Sequence, residues 1–286
     1  MPRILIAGCG YVGYATALRF QQAGWEVEGW TGSKESAAEL ASASLRVLAV
    51  DLTEAAAVGA AAGEAEIVIQ CASSRGGSVE DYRKIYLESA RNLRSAFPHA
   101  LHVFTSSTSV YGQCDGEWVT EESLAEAESE TAHVLRETEK FVLAGGGIAA
   151  RLAGIYGPGR SALLRKVLEG TAVIEEGAER FVNQVHRDDI AAALLHLVRR
   201  SEGTGDAPHI FNVSDNHPMT QRACYEWLAH RLDRAVPPFG PAVASRRRGR
   251  SNKRVSSGKL ETLGWSPHYP TFEIGMRESI LPAAGL

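Results

Sequence analysis

Residues 4–18, ILIAGCGYVGYATAL, decide how the rest of the chain is read. An apolar run, Ile4–Ile6, leads into Gly8, Gly10 and Gly13 spaced as GxGxxG, and a helical pattern begins at about Tyr11 and runs to about Ala23. The glycine spacing alone is a weak signal. Between a strand and a helix it is much stronger, because each glycine has a physical task there. Gly8 permits the tight turn, Gly10 lets the backbone approach a pyrophosphate, and Gly13 lets helix and strand pack closely. At Tyr11 and Val12 the helix N-terminus offers free N–H groups and a partial positive charge to the phosphates. A tight turn without any ligand is the competing reading.

Outward from this stretch, short apolar runs alternate with helical patterns through the first half. Strands are expected at 25–30, 45–50, 65–72, 101–107 and 147–157. A long helix carries Val79, Tyr82, Tyr86, Ala90, Leu93 and Phe97 on one face, and another carries Val134, Leu135, Thr138, Phe141 and Val142. Repeated strand–helix–strand units predict an α/β fold of Rossmann type: a doubly wound parallel sheet with helices on both faces. From about residue 158 the rhythm changes. Helices are expected near 160–169, 188–199 and 219–233, with strands near 181–185 and 209–214. The expected division is a dinucleotide-binding part, 1–157, and a smaller C-terminal substrate lobe, 158–286, intercalated with the sheet. A Pro-rich, basic stretch at 236–255 is the best candidate for a mobile loop.

Composition sets bounds. The chain has 286 residues, 44% of them hydrophobic and 22% charged, with a net charge of −4. Such a balance argues against nucleic acid as the main partner, and no apolar run approaches the ~18–20 residues of a membrane span. No cleavable leader pattern opens the chain, so a cytoplasmic location is the default. Cys9, Cys71, Cys114 and Cys224 show neither CxxC pairing nor metal-ligand spacing; they read as free, buried thiols, and no metal is expected. The sequence leaves room for a homodimer without specifying one.

The end of the second strand bears on the choice of cofactor. Glu28 stands about where a ribose-binding acid is expected but falls inside the strand, and the strand end reads WTGSKES. Thr31, Ser33 and Lys34 suit a 2′-phosphate better than a free hydroxyl, which favours NADP over NAD. A polar loop that caps the next helix accounts for the same residues equally well.

At residues 104–112, FTSSTSVYG, the sequence resembles the extended short-chain dehydrogenase/reductase family, the NAD-dependent epimerase/dehydratase group. Further stretches agree over nearly the whole chain: AVDLT, QCASS, SARNL, RLAGIYGPG, NQVHRDDIA and NKRVSSGKLETLGW. The resemblance implies NAD(P) across the sheet's C-terminal edge and a substrate cleft under the smaller lobe. It also implies hydride transfer at a hydroxyl-bearing carbon, often of a nucleotide sugar. By resemblance Asp51 and Leu52 contact the adenine, Ala72 lies beneath the cofactor, and Ala153, Gly154 and Ile155 lie beside the nicotinamide. Ser107 matches the serine that holds the reacting hydroxyl, and its neighbour Ser106 is placed among the cofactor-lining residues.

One part of the pattern is missing. In residues 128–143, ESETAHVLRETEKFVL, aligning Glu139 with the glutamate after the family's YxxxK puts Thr131 at the tyrosine and Leu135 at the lysine. None of the eight tyrosines has a lysine four residues later. A threonine hydroxyl does not titrate usefully, and leucine tunes nothing. Ala7 also stands where a glycine often precedes the loop, and together these features point to an atypical branch of the family.

Two residues are candidate substitutes for moving the proton. Tyr111 is four residues past Ser107, although it reads equally as a packing residue. His186 titrates near neutrality but also suits a structural role before a helix. Asp188 and Asp189 read as helix caps. Arg246, Arg247, Arg248, Arg250 and Arg254 could clamp a phosphorylated small-molecule substrate, or form a solvated basic loop. Two functional readings follow: an NADP- or NAD-binding oxidoreductase or epimerase/dehydratase acting on a hydroxylated, anionic small molecule, and a non-catalytic NADP(H) sensor of the same fold.

Overall fold

Alternation along the first strand, β1 (Arg3–Ala7), shows why both faces of the sheet are covered: Ile4 and Ile6 enter one apolar cluster, Leu5 and Ala7 another. The computed structural model describes residues 1–42, 45–74, 76–126, 128–176, 179–201, 210–241 and 251–286. Six further strands join the sheet: β2 (Glu26–Thr31), β3 (Arg46–Ala49), β4 (Ile67–Gln70), β5 (Leu101–Ser107), β6 (Ile148–Leu152) and β7 (Ile210–Val213). The order is β7-β6-β5-β4-β1-β2-β3, and every pairing is parallel. Strand order reverses between β1 and β4, which opens a crevice at their C-terminal ends where this architecture holds its ligands.

Helices cover the two faces and build the smaller lobe. They are α1 (Tyr11–Gln22), α2 (Lys34–Leu40), α3 (Ala55–Ala61), α4 (79–96), α5 (Glu130–Ala144), α6 (Ala162–Leu168), α7 (Arg187–Ser201) and α8 (Gln221–Arg231). α1 packs on α7, and their apolar sides meet Ile67, Ile69, Ile148 and Val213 in one core. Opposite lie Trp30, Val58, Val68, Leu93 and Phe97. Each side chain fully buried in this way contributes ~1.5–3 kcal/mol against the cost of ordering the chain.

α4 is interrupted by a π turn at Arg83–Glu88. Its cause lies on the sheet: the buried Gln70 side chain, at the end of β4, donates to the carbonyls of Ile85 and Tyr86 at 3.1 and 3.0 Å. A widened turn leaves carbonyls without their usual helical partners, and Gln70 supplies them.

After residue 157 the chain serves both the sheet and a smaller lobe. α7 and β7 return to the sheet, whereas Leu164, Val167, Ile174, Tyr225, Leu228, Phe272 and Met276 form a separate apolar cluster. The strand expected near 181–185 is two short ones, Phe181–Val182 and Gln184–His186. Within the expected loop at 236–255, residues 242–250 lie outside the described residues, Phe239–Gly240 pairs with Ile174–Glu175, and Arg254–Val255 pairs with Trp118–Val119. The cysteines are free, as expected, but Cys114 is exposed and Cys71 half-buried rather than both being core thiols. Among the described residues no helix is long and apolar enough to cross a membrane.

Candidate functional site: the glycine loop and the seam below the lobe

The three glycines differ in what surrounds them. Gly8 has φ +97°, and a Cβ there would stand 2.2 Å from the Ala72 nitrogen; at Gly13 it would stand 2.2 Å from the Gly8 oxygen. At Gly10 it would meet nothing within 4 Å. Two glycines are therefore needed by the fold, and the third leaves open space beside the backbone at the head of α1. No side chain caps that helix and its first turn holds no acid, so its N–H groups are available to an anion. These features fit a dinucleotide pyrophosphate. Tyr11 and Val12 can reach it only through their backbone. The Tyr11 hydroxyl donates to the Pro158 carbonyl at 3.0 Å, with the Arg187 and Arg160 guanidiniums 4.9 and 5.3 Å from its ring, and Val12 is in the core.

Inside β2, Glu28 is held in place. It accepts from the Trp30 indole at 2.7 Å and pairs with Arg46 at 3.0 Å. Thr31 closes the strand, and Ser33 is the N-cap of α2, its hydroxyl accepting from the Ser36 nitrogen. Lys34 follows it, exposed and without an ion-pair partner among the described residues. Asp51 accepts from both the nitrogen and the hydroxyl of Thr53, at 2.9 and 2.8 Å. Leu52 is buried, and its carbonyl accepts from Asn92, which joins the AVDLT and SARNL stretches.

Ser107 ends β5 at the same edge, its oxygen capping the turn Thr108–Val110 by accepting from the Ser109 nitrogen at 3.1 Å. Its own proton has no acceptor among the described residues. Ser106 differs from expectation: it is buried and donates to Glu139 Oε1 at 2.6 Å, so any contact with a cofactor would come from its backbone.

Both candidate proton carriers are buried and hydrogen-bonded within the protein. Tyr111 is fully buried; its hydroxyl donates to Asn212 Oδ1 at 2.9 Å and accepts from Arg151 Nη1 at 2.8 Å. Burial raises its pKa, against the opposing Arg151 charge. His186 is also fully buried. Its Nδ1 accepts from the Asp188 nitrogen at 3.2 Å, so Nε2 carries the proton toward Ser279 Oγ at 3.0 Å, and burial pushes its pKa down to about 4. A neutral imidazole with both nitrogens engaged is a structural residue. Leu135, at the lysine position, is packed with Tyr86, Phe104 and Tyr111, while Thr131 is half-buried. Asp189 is no cap for its own helix either: it is buried and accepts from the nitrogens of His268 and Tyr269 at 2.6 and 3.0 Å.

The late motifs meet at Asn183. Its oxygen atoms and amide tie three segments together: the carbonyl accepts from Gly154 N at 2.9 Å, Nδ2 donates to the Lys253 carbonyl at 2.8 Å, and Oδ1 accepts from Val255 N at 2.7 Å. Ala153 and Ile155 are fixed on either side, by the Val213 carbonyl and by pairing with Val185. Lys253 then reaches back to the serine loop, donating to the Tyr111 carbonyl at 2.9 Å. This buried lysine was not legible in the sequence, where it is one cation in a basic run. Of the arginines expected there, Arg246, Arg247, Arg248 and Arg250 lie outside the described residues. Arg254 stacks 4.8 Å from the Phe181 ring and 5.5 Å from Trp118 and donates to the Gly116 carbonyl.

Known proteins are similar to this chain in sequence and fold. Protein YeeZ of Escherichia coli is 28% identical over 94% of this chain and 97% of its own. A provisionally named NAD-dependent epimerase/dehydratase from Methylobacillus flagellatus is 29% identical, with a TM-score of 0.81 over 100% of this chain and 99% of its own. The NAD complex of UDP-glucose 4-epimerase from Thermus thermophilus, at 21% identity, has the same fold, with a TM-score of 0.80 over 100% of this chain and 99% of its own. The model of the NAD-dependent epimerase/dehydratase family matches residues 4–214, and the chain belongs to that family.

Proposed function

We propose that the protein binds NADP, with NAD as the weaker ligand, and acts as an epimerase/dehydratase-type oxidoreductase on a hydroxylated, anionic small molecule such as a nucleotide sugar. The observation that carries this reading is the pairing of an open Gly10 backbone with an uncommitted Ser107 proton at one sheet edge. When bound, the nicotinamide supplies a hydride acceptor or donor. Gly10 and the first turn of α1 hold the phosphates, and Lys34 supplies the charge for a 2′-phosphate. Ser107 orients a substrate hydroxyl. The UDP-glucose 4-epimerases of the same fold make a nucleotide sugar the first substrate class to try.

A second reading, a non-catalytic NADP(H) sensor, is favoured by a specific observation. Thr131 and Leu135 stand in for the tyrosine and lysine, and the hydroxyl of Tyr111 and both ring nitrogens of His186 are already engaged. General acid–base catalysis is worth ~10²–10⁴-fold in rate, so without a replacement group turnover would be a trace.

Titration calorimetry with NADP, NADPH and NAD, followed by single-turnover assays on nucleotide sugars, tests both readings. Binding with turnover supports the enzyme, and binding without turnover supports the sensor. No binding at millimolar nucleotide removes both.

A further inference from the structure

Lys253 is 6% exposed, yet among the described residues the only acceptor its ammonium has is the Tyr111 carbonyl at 2.9 Å, and no carboxylate among them pairs with it. An ammonium has three donors, and a buried one without a counter-charge is costly. The charged groups facing it do not resolve this. Arg180 opposes its charge and Glu117 only weakly supports it, while burial is the main cause that brings its pKa down to about 8. Its position is fixed from two sides. Asn183 holds the Lys253 carbonyl and, through its own carbonyl, Gly154 at the sheet edge; the Tyr111 carbonyl that receives the ammonium lies four residues beyond Ser107.

We propose that Lys253 is a specificity-determining residue that receives an oxyanion of the substrate, carboxylate or phosphate, at the seam between the serine loop and the lobe. The inference rests on the reading of this edge as the substrate side of a dinucleotide site. A carboxylate or phosphate entering the seam would take the two uncommitted donors and supply the missing counter-charge, forming charge-assisted hydrogen bonds. A neutral analogue would leave the ammonium unpaired, which is how a single buried cation discriminates between substrates.

Inorganic phosphate and malonate serve as probes in calorimetric titrations of the full chain. Each is titrated into NADP-saturated protein and into a Gly10→Val protein, whose glycine loop is closed to phosphate. The nucleotide titration itself reports separately on the dinucleotide site, so its failure is distinguishable from failure here. At pH 7 one anion should bind at one site per chain. Lys253→Met should weaken it at least tenfold, and Lys253→Arg should stay within about threefold of wild type. Raising the pH from 7 through about 8 should weaken malonate binding, whose own charge is constant there, in wild type and leave that of Lys253→Arg unaffected. A preference for phosphate or malonate identifies the oxyanion. A lysine that merely props up the Tyr111 loop would instead lower the melting temperature of Lys253→Met and leave anion affinity unchanged. That result, or the absence of saturable binding of either anion by wild type, overturns the proposal.

Discussion

Arg151 grips Glu139 side-on with one edge of its guanidinium, Nε to Oε1 at 3.0 Å and Nη2 to Oε2 at 2.8 Å, and the two side chains are 1% and 0% exposed. Arg136 and Ser106 bond the same carboxylate, and Arg151 passes on to Tyr111 and Asn212. The network locks α5 and β6 to the serine loop. Removing one partner leaves a buried charge unmet, so Glu139→Gln or Arg151→Met should cost ~3–5 kcal/mol. Replacing both with apolar residues should cost less than the sum. Urea unfolding of the two single variants and the double variant measures this, and a single change costing under about 1 kcal/mol would contradict a stability role for the buried pair.

The glycines should separate fold from ligand. Gly8→Ala and Gly13→Ala push a Cβ into backbone 2.2 Å away and should lower the melting temperature. At Gly10 an added Cβ meets no protein atom within 4 Å, so Gly10→Val should melt like wild type while losing NADP and NAD binding. Parallel thermal melts and nucleotide titrations give the answer. A Gly10→Val protein that binds as wild type does would move the pyrophosphate elsewhere.

Cofactor choice should follow Lys34. Glu28 is tied to Trp30 and Arg46, so it is not free to take a ribose hydroxyl. One charge-assisted contact to a 2′-phosphate is worth ~1.5–3 kcal/mol, so NADP should bind about tenfold or more tighter than NAD. Lys34→Ala should bring the two dissociation constants together. Equal affinities in wild type would count against this assignment.

Two buried histidines should make stability fall in acid. Burial pushes both His102 and His186 down to about 4, below the ~6.5 of an unfolded chain. Between those values the unfolded state takes up protons that the folded state refuses. Their contribution is therefore full above pH ~6.5 and is lost as the pH falls through about 4, at most ~3 kcal/mol each. Buried Asp215 and Asp189 act in the opposite sense, because burial raises their pKa values and their ionisation weakens the fold as the pH rises. The clean measurement is the difference in melting temperature between wild type and His102→Gln or His186→Gln. It should narrow from pH 7 to pH 4; a constant difference would mean that the histidines already carry protons.

Much of the fold was legible because its signals are local. β5 spans Leu101–Ser107 as its apolar run suggests, and α1 begins at Tyr11 where the glycine loop ends. What escaped depends on partners distant in sequence. Glu139 served in the sequence only to align the helix, and Arg151, across the α5–β6 connection, explains its burial. The π turn in α4 is set by Gln70, and Asp189 looks like a cap until the backbone at 268–269 arrives to use it. Ser107 could be named from its motif. Lys253 could not, since nothing near it in the sequence marks one cation of a basic run as buried.

The late arrival of β7 has a consequence for how the protein is made. The chain leaves the sheet at Leu152 and does not rejoin it until Ile210, when β7 pairs along β6. Leu260 and Trp265 then close the same apolar core. During synthesis the nucleotide-binding half therefore cannot finish before almost the entire chain has left the ribosome. Until then β6 presents an unpaired edge and α1 lacks its partner α7, a combination that invites sticking to other chains. A nascent chain stalled after residue 157 would be a client for chaperones rather than a small folded binding module.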